Sequence, residues 1–323
     1  MLVLMLAVND PAGTAIAFAK ALNRHTEHTC RLVTLETRYN HGWDADLHLP
    51  DLDEAGLEEV HALLRDADVL HFHMTADEDQ PFGPFLPRDH LRGKAVVHHH
   101  HGHPDFRGDP DKYRRKYAER NRRNLLVSTP DLLHLLPEAR WQPNLVPQDD
   151  PRYLPMPGKH PADGSVPDHP VRLTHSPTRK DLKNTDDLLR AVDQLRTEGL
   201  HLELDLIDDA PHVECLRRKR RAHILFDHLQ GYYGVSSIEG LSQGLPTIAG
   251  LDDHNRRHIT ELTGTTNLPW ITTTPRNLPQ TLRQLIQNPG LRDKAGHASR
   301  RFITTRWTDK QLAIRLAEFL EKC

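Results

Sequence analysis

Three basic residues follow a predicted strand in the segment SPTRKDLKNT. Arg179, Lys180 and Lys183 come directly after the apolar run that ends near His175, and a helix is predicted to begin around Thr185. Cations at the mouth of a strand suit a diphosphate, because guanidinium and ammonium groups hydrogen-bond to phosphate oxygens and neutralise them. The alternative is a basic loop whose cations pair with neighbouring carboxylates, those of Asp181, Asp186 and Asp187.

A glycine-rich loop lies between predicted strand 223–227 and predicted helix 235–243. Glycines let the backbone approach a ligand closely, and the start of a helix offers amide groups and a positive dipole end to an anion. Glu239 lies within that helix, where it could reach sugar hydroxyls; alternatively the helix only packs and Glu239 caps a neighbouring group. The backbone groups expected to contact an anionic ligand here belong to Gly231, Gly234, Val235 and Ser236.

The nucleotide-binding fingerprints G-x-G-x-x-G and G-x-x-x-x-G-K-[ST] do not occur in the sequence. Each of these motifs binds phosphate groups through the backbone of a glycine-rich loop. The sequence therefore gives little support to a dinucleotide-dependent dehydrogenase or a P-loop nucleotidase.

Histidines are abundant, 24 in all, and four are consecutive at His98–His101. Because alternate residues of a strand face opposite sides, His99 and His101 are predicted to share a face with His71 or His73 of the segment DVLHFH. An imidazole cluster of this kind could hold zinc. No carboxylate or cysteine is spaced to complete a familiar ligand set, so we expect histidines that face a sugar or simply pack, with no bound metal.

Two further segments are strongly basic. The predicted helix 112–123 (KYRRKYAERNRR) holds seven Lys and Arg residues, and 217–221 reads RRKRR. A basic amphipathic helix can contact anionic lipid or a phosphorylated acceptor, but it can also be a solvated helix face. We expect solvated faces for both segments, with peripheral membrane contact as the alternative for 112–123.

Short apolar runs alternate with amphipathic stretches in both halves of the chain, which predicts parallel sheets covered by helices. Residues 151–170 are rich in proline and cannot continue a helix or a central strand. The sequence therefore predicts an α/β protein with two Rossmann-like domains facing each other across a cleft. The predicted segments are a first domain 1–150, a linker 151–170, a second domain 171–300 and a terminal helical segment 301–323.

Composition excludes several classes of protein. The chain has 323 residues with 42 basic and 45 acidic side chains, a balance that argues against a dedicated nucleic-acid binder. Three scattered cysteines do not make a disulfide framework and fit a reducing compartment. No apolar stretch approaches the ~20 residues of a membrane span, and the opening MLVLMLAV is interpreted as a buried strand. We expect a cytoplasmic protein.

Seven ordered blocks resemble the retaining glycosyltransferases of the GT-B fold, family four, and in particular a bacterial subgroup. They run from residue 9 to about residue 250 and include NDPAG, DVLHFH, HHHHG, VSTPDLL, WQPNLVP, HSPTRKDLKNT and FDHLQGYYGVSSIEGLSQGLPTI. The resemblance implies transfer of a sugar from a nucleoside-diphosphate donor to a hydroxyl acceptor, which could be a sugar, a lipid-linked molecule or a small molecule. It implies retention of anomeric configuration, no divalent metal and no cofactor other than the donor substrate.

The same resemblance implies roles for individual residues. Arg179 or Lys180, together with Lys183, matches the basic pair that holds the donor diphosphate as it leaves. Glu239 matches the second glutamate of the E-x7-E motif, which contacts the ribose. Two residues of the first domain take part: Gly13 in the loop after the first strand, and His101 facing the donor sugar. The resemblance also implies that 1–150 is the acceptor-side domain, with acceptor loops 36–50 and 76–90. It implies that 171–300 is the nucleotide-sugar domain and that the terminal helix 301–323 crosses back to the first domain.

One position departs from the family pattern. The first glutamate of E-x7-E should lie eight residues before Glu239, where this chain has Gly231. The candidates for the missing polar contact are Asp227, Gln230 and Tyr232. Because of this departure two other functions stay open: a sugar-nucleotide epimerase, and a catalytically silent protein that binds a nucleotide or a partner.

Overall fold

The computed structural model describes residues 1–37, 44–156 and 170–323. The chain divides into two compact units. Unit 1 comprises Met1–Leu145 and Asp309–Cys323, and unit 2 comprises Val146–Thr308. Most of the predicted linker, residues 157–169, and part of the predicted acceptor loop, residues 38–43, lie outside the described residues.

Unit 1 is built on a seven-stranded parallel sheet with the strand order β3-β2-β1-β4-β5-β6-β7. Its strands are β1 Leu2–Ala7, β2 Thr29–Thr34, β3 Leu47–His48, β4 Val69–His73, β5 Ala95–His100, β6 Asn124–Val127 and β7 Arg140–Trp141. Its helices are α1 Thr14–His25, α2 Glu54–Asp66, α3 Pro104–Gly108, α4 Pro110–Glu119 and, after unit 2, α11 Asp309–Leu320. Strands β1 and β4 are almost wholly buried, as a doubly covered parallel sheet requires.

Helix α11 belongs to unit 1 because it packs beside α1. The buried carboxylate of Asp309, at the start of α11, lies 3.1 Å from His25 Nε2 at the end of α1. Gln142, which follows β7, also contacts α11: its side-chain amide donates to the carbonyl of Leu312, 3.1 Å away. The last helix of the chain is therefore a structural part of the unit that contains the first residues.

Unit 2 is built on a five-stranded parallel sheet with the order β12-β11-β10-β8-β9. Its strands are β8 Val171–His175, β9 Leu202–Leu206, β10 Ile224–Phe226, β11 Thr247–Ile248 and β12 Trp270–Ile271. Its helices are α5 Thr185–Thr197, α6 His212–Arg221, α7 Val235–Ser242, α8 Asp253–Thr263, α9 Leu278–Gln287 and α10 Pro289–Arg306. A core of leucine, isoleucine and valine joins this sheet to α5 and α9.

The predicted α/β class and the two parallel sheets are confirmed. The breaks predicted near Pro289 and Trp307 are also found, between α9 and α10 and between α10 and α11. The helix predicted over 112–123 is wrong at its end: α4 stops at Glu119 because Asn121 adopts a left-handed conformation with φ of 52°. Three of the basic residues counted on that helix therefore lie after it.

Among the described residues, no helix is both long and apolar enough to pass through a lipid bilayer.

Candidate functional site

The order of the strands in unit 2 identifies where its loops can form a site. Strand β8 lies between β9 and β10, so the chain leaves β8 toward one side of the sheet and leaves β10 toward the other. Open α/β sheets bind ligands outside the carboxyl ends of the strands at such a switch point. The loops there are 176–184, after β8, and 227–234, after β10, which are the two segments that the sequence singled out.

His175 ties the two central strands together beneath these loops. Its Nδ1–H donates to the carbonyl of Phe226 at 3.1 Å, and its Nε2 accepts from Thr185 Oγ1 at 2.9 Å. Burial lowers the pKa of His175 to about 4, which keeps the ring neutral near pH 7. This histidine is structural: it fixes the end of β8, the end of β10 and the start of α5 relative to one another.

Asp227 organises the glycine-rich loop and the start of α7. Its Oδ2 accepts from the amide of Gly234 and from Ser237 Oγ, each at 2.6 Å. Burial would raise the pKa of Asp227, but the nearby His228 and Lys183 and these hydrogen bonds hold it below its usual value. A carboxylate fixed in this way holds the glycine-rich loop against the start of α7, so the predicted contact of Asp227 with a ligand competes with a structural role.

The helix start retains further groups for a ligand. The first amides of an α-helix have no acceptor within the helix, and in α7 these include the amides of Val235 and Ser236. The hydroxyl of Ser236 lies 3.1 Å from that of Ser176, which follows β8. The loop after β8 and the start of α7 are therefore in direct contact at the carboxyl edge of the sheet.

Of the three predicted cations, Lys183 lies beside the glycine-rich loop. Its Nζ is 5.6 Å from the centroid of the Tyr232 ring, a cation–π arrangement, and its charge contributes to the lowered pKa of Asp227. The structure thus brings together Lys183, Tyr232, Asp227 and the start of α7.

The other two cations pair with carboxylates of exposed loops. Arg179 donates to Asp181 through two nitrogens, at 2.9 and 2.5 Å, and Lys180 pairs with Asp208. Each of the two cations keeps about half of its side chain exposed (48%). These contacts correspond to the alternative interpretation of a basic loop paired with neighbouring acids, and they place both cations further toward solvent than Asp227.

Glu239 is buried within α7 and has a partner on each oxygen. Oε1 lies 2.8 Å from His212 Nε2, and Oε2 lies 2.5 Å from Lys219 Nζ. Burial would raise the pKa of Glu239, but the Lys219 ammonium and the His212 hydrogen bond outweigh it and lower the pKa to about 2. As placed, the carboxylate links α7 to α6, and a contact with ribose would require one of these bonds to open.

The position of the missing glutamate has an acidic neighbour that the sequence did not indicate. Gly231 has φ of +89°, and a Cβ at this residue would lie 3.1 Å from Asp252 Oδ2. The backbone N–H of Asp252 donates to the Gly231 carbonyl at 2.8 Å, and its Oδ1 caps α8 by accepting from the Asn255 amide at 2.7 Å. A carboxylate therefore lies where a side chain at position 231 would begin.

Asn184 is a second residue that sequence reasoning missed. Its Oδ1 accepts from the amide of Leu229 at 2.9 Å and from the side-chain amide of Gln230 at 3.0 Å. Its φ of 54° directs the chain from the loop of Lys183 into α5. The predicted contact residue Gln230 is thus held by Asn184. An asparagine just before a helix was the available signal.

In unit 1, the loop after β1 is closed by a buried carboxylate. Asp10 accepts from the amides of Thr14 and Ile16 at 2.8 and 3.0 Å, and burial raises its pKa. Gly13 adopts φ of 60° to begin α1. The predicted phosphate-closing loop therefore begins with its first helical amides already bonded to Asp10.

The histidines of β4 and β5 form a cluster on the α1 side of the sheet. His101, predicted to face the donor sugar, is partly exposed, and its Nε2 lies 2.9 Å from His73 Nδ1. The rings of His71, His73 and His99 follow beneath it. The structure brings together the four imidazoles that strand alternation predicted to share a face.

The basic charges at and after α4 are balanced by the loop 77–79. Lys116 lies 2.5 Å from Asp77, Arg120 pairs with Asp77 and Asp79, and Arg122 lies 2.7 Å from the buried Glu78. These four ion pairs leave less positive charge for an anionic surface than the number of basic residues in the sequence suggests.

No model of a protein family matches the sequence, and no curated protein matches it. Solved structures do match over nearly the whole chain. Sucrose-phosphate synthase from Thermosynechococcus elongatus is 13% identical with a TM-score of 0.61, covering 100% of this chain and 99% of that chain. Anabaena HepE, in complex with UDP and glucose, is 10% identical with a TM-score of 0.63 and 100% coverage of both chains.

A structure of UDP-N-acetylglucosamine 2-epimerase also matches. It is 14% identical with a TM-score of 0.51, covering 98% of this chain and 95% of that chain. At such identities the likeness concerns the fold. The chain has the GT-B fold, with two Rossmann-like units each built on a parallel sheet.

Proposed function

We propose that this protein is a glycosyltransferase that uses a nucleoside-diphosphate sugar, with the donor diphosphate bound at the carboxyl edge of the unit 2 sheet. The observation that carries the proposal is the position of Lys183. Its ammonium group lies beside Tyr232 and Asp227, next to the start of α7, at the switch point where α/β sheets bind ligands. Lys183 and the first amides of α7 can act on the same anion.

The likeness to HepE, which was solved with UDP and glucose, supports a nucleotide of this kind. In the proposed reaction, the bond between the donor sugar carbon and its phosphate oxygen breaks, and negative charge accumulates on the departing diphosphate. A fixed ammonium and helix amides stabilise that charge more in the transition state than in the ground state. The acceptor hydroxyl attacks from the side that the diphosphate leaves, a phosphate oxygen takes its proton, and the configuration is retained. We propose that Lys183, rather than a metal ion, supplies the compensating charge.

Binding of UDP to the full chain tests the diphosphate site directly. We expect Lys183→Ala to weaken UDP binding by at least about tenfold in calorimetry, since a charged hydrogen bond of ~1.5–3 kcal/mol is lost. The matched control is Arg190→Ala, a cation of the same unit that is 72% exposed on α5 and paired with Asp187. If both variants bind UDP like the parent protein, the site is not where we place it.

Two observations favour other functions on the same fold. The likeness to an epimerase supports rearrangement of UDP-N-acetylglucosamine without an acceptor. The engagement of Glu239 by Lys219 and His212, and of Arg179 by Asp181, supports a silent nucleotide-binding protein. Incubation with UDP-sugars distinguishes the three functions by NMR: transfer releases UDP only with an acceptor, epimerisation changes the sugar without releasing UDP, and a silent protein does neither.

A further inference from the structure

The imidazole cluster of unit 1 lies at the carboxyl end of two adjacent strands. His71 and His73 belong to β4, His99 belongs to β5 and is paired in register with His73, and His101 follows β5. The ring centroids of neighbouring members are 4.3 to 5.4 Å apart. On the helix side, the ring of Phe18 from α1 packs 5.5 Å from that of His99.

The nitrogens of this cluster are largely unpartnered. Six of them are buried and have no hydrogen-bond partner among the residues that the structure describes: both nitrogens of His71, both nitrogens of His99, Nε2 of His73 and Nδ1 of His101. Leaving buried polar atoms without partners costs free energy at each atom. A bound group that accepts the lone pair of each neutral imidazole would remove part of this cost.

The other two histidines of β5, His98 and His100, each have a hydrogen-bond partner, as expected for a purely structural role. His98 Nε2 lies 3.2 Å from Glu78 Oε1, and His100 Nε2 lies 2.7 Å from the Tyr117 hydroxyl. Both point to the opposite face of the sheet and both have a polar partner. Histidines of the same strand therefore differ: His98 and His100 have hydrogen-bond partners, whereas both ring nitrogens of His99 have none among the described residues.

One nitrogen from each of His71, His73 and His99 can be chosen so that all three lie within 4.8 Å of one another. Zinc bound at ~2.0–2.1 Å by tetrahedral imidazoles needs nitrogens about 3.4 Å apart, so binding would draw these three nitrogens closer together. Neutral imidazole suits zinc and its neighbours in the transition series, whereas magnesium and calcium prefer oxygen.

We propose that His71, His73 and His99 bind one zinc ion, with a fourth coordination position on the side of His101. His101 is the partly exposed member, so this side is where the ion enters and where a water molecule or hydroxide completes the tetrahedron. Such a site goes beyond the proposed diphosphate site, which lies in unit 2 and does not use it.

The test measures metal in the full chain prepared without a purification tag. After dialysis against zinc and then against buffer, we expect one zinc per chain by plasma mass spectrometry. Cobalt taken up in place of zinc should give the visible absorption bands of a tetrahedral site. Parent protein that retains no zinc and shows no cobalt bands overturns the proposal, whatever the variants do.

Two double variants locate the ion. His71→Gln with His99→Gln should lower zinc affinity by at least about 100-fold. The control is His254→Gln with His258→Gln, because these rings on α8 are 4.3 Å apart at i and i+4 and form another close pair that could take up adventitious zinc. Zinc lost only from the α8 variant, or retained by the cluster variant, contradicts the assignment. Circular dichroism confirms that each variant is folded.

Discussion

Lys219 Nζ lies 2.5 Å from Glu239 Oε2 in a buried ion pair that joins α6 to α7. Both side chains are almost wholly inaccessible to solvent, and His212 occupies the second carboxylate oxygen. Burial would lower the pKa of Lys219, but the nearby Cys215 and the Glu239 carboxylate outweigh burial and raise the pKa, so the pair is charged. The orientation of α7, and with it the direction of its first amides, therefore depends on this contact.

Removing one member of the pair should be far more damaging than removing both. Lys219→Met leaves a buried carboxylate without its cation, and we expect it to lower the free energy of unfolding by about 3–5 kcal/mol. The double variant Lys219→Met with Glu239→Leu should recover most of that loss. Urea unfolding of all four members of the cycle measures the coupling. A double variant no more stable than the single one would contradict this account.

The same pair predicts an acid limit for unit 2. Glu239 has a folded pKa of about 2, below its ordinary 4.5, so its stabilising contribution is complete above pH 4.5 and is lost as the pH falls toward 2. The shift corresponds to about 3 kcal/mol. Between pH 5 and pH 2, the free energy of unfolding of the parent protein should therefore fall by about 3 kcal/mol more than that of the Lys219→Met, Glu239→Leu double variant. Equal acid dependence in the two proteins would show that the Glu239 pKa is not lowered.

Gly231 should resist substitution for two separable reasons. Its φ of +89° disfavours any side chain, and a Cβ meets Asp252 Oδ2 at 3.1 Å. Gly199→Ala is the matched control, because Gly199 has φ of +85° with no atom within 4 Å of its Cβ position. We expect Gly199→Ala to destabilise by about 1 kcal/mol and Gly231→Ala by more. Thermal unfolding measures both substitutions. When Asp252 is also replaced by alanine, Gly231→Ala should cost no more stability than Gly199→Ala does.

Helix α10 should be sensitive to one methyl group. A Cβ at Gly296 would lie 2.4 Å from the carbonyl oxygen of Gly244, just after α7, so Gly296→Ala must push the two segments apart. We expect a loss of about 1–3 kcal/mol.

Gly290, at the start of the same helix, is the control for this substitution. Its Cβ position has only Asn288 Oδ1 nearby, at 3.5 Å, so Gly290→Ala should be neutral or stabilising. Equal melting temperatures for the two variants would contradict the contact at Gly296.

The fold could be predicted from the sequence because its central elements repeat a strong pattern. The run Leu2–Ala7 is apolar and short, α1 follows with helical spacing, and the same alternation returns from Val171. Edge strands of two residues, such as Leu47–His48 and Trp270–Ile271, carry too little pattern to be recognised. These edge strands form by hydrogen-bonding to the backbone of the neighbouring strand, and this pairing cannot be predicted from the few residues of the edge strand alone.

The candidate site could be predicted only in part. The strand pattern predicted the positions of the loops, and the structure has Lys183 and Asp227 in those loops, after β8 and β10. The partners of Glu239 could not be predicted, because Lys219 is 20 residues away and reads as one of five consecutive basic residues in RRKRR. Asp252 was missed because its proximity to Gly231 depends on the bridge between Gly231 and Leu251.

Unit 1 is made from the first and the last parts of the chain. During synthesis, the ribosome completes all of Val146–Thr308 before the codons for Asp309–Leu320 are read. The apolar side of Thr14–His25 therefore lacks its covering helix until all of unit 2 has been synthesised. Nascent chains should be most vulnerable to proteases and most in need of chaperones in this interval, and a shortened gene that stops at Leu145 would leave that flank permanently exposed.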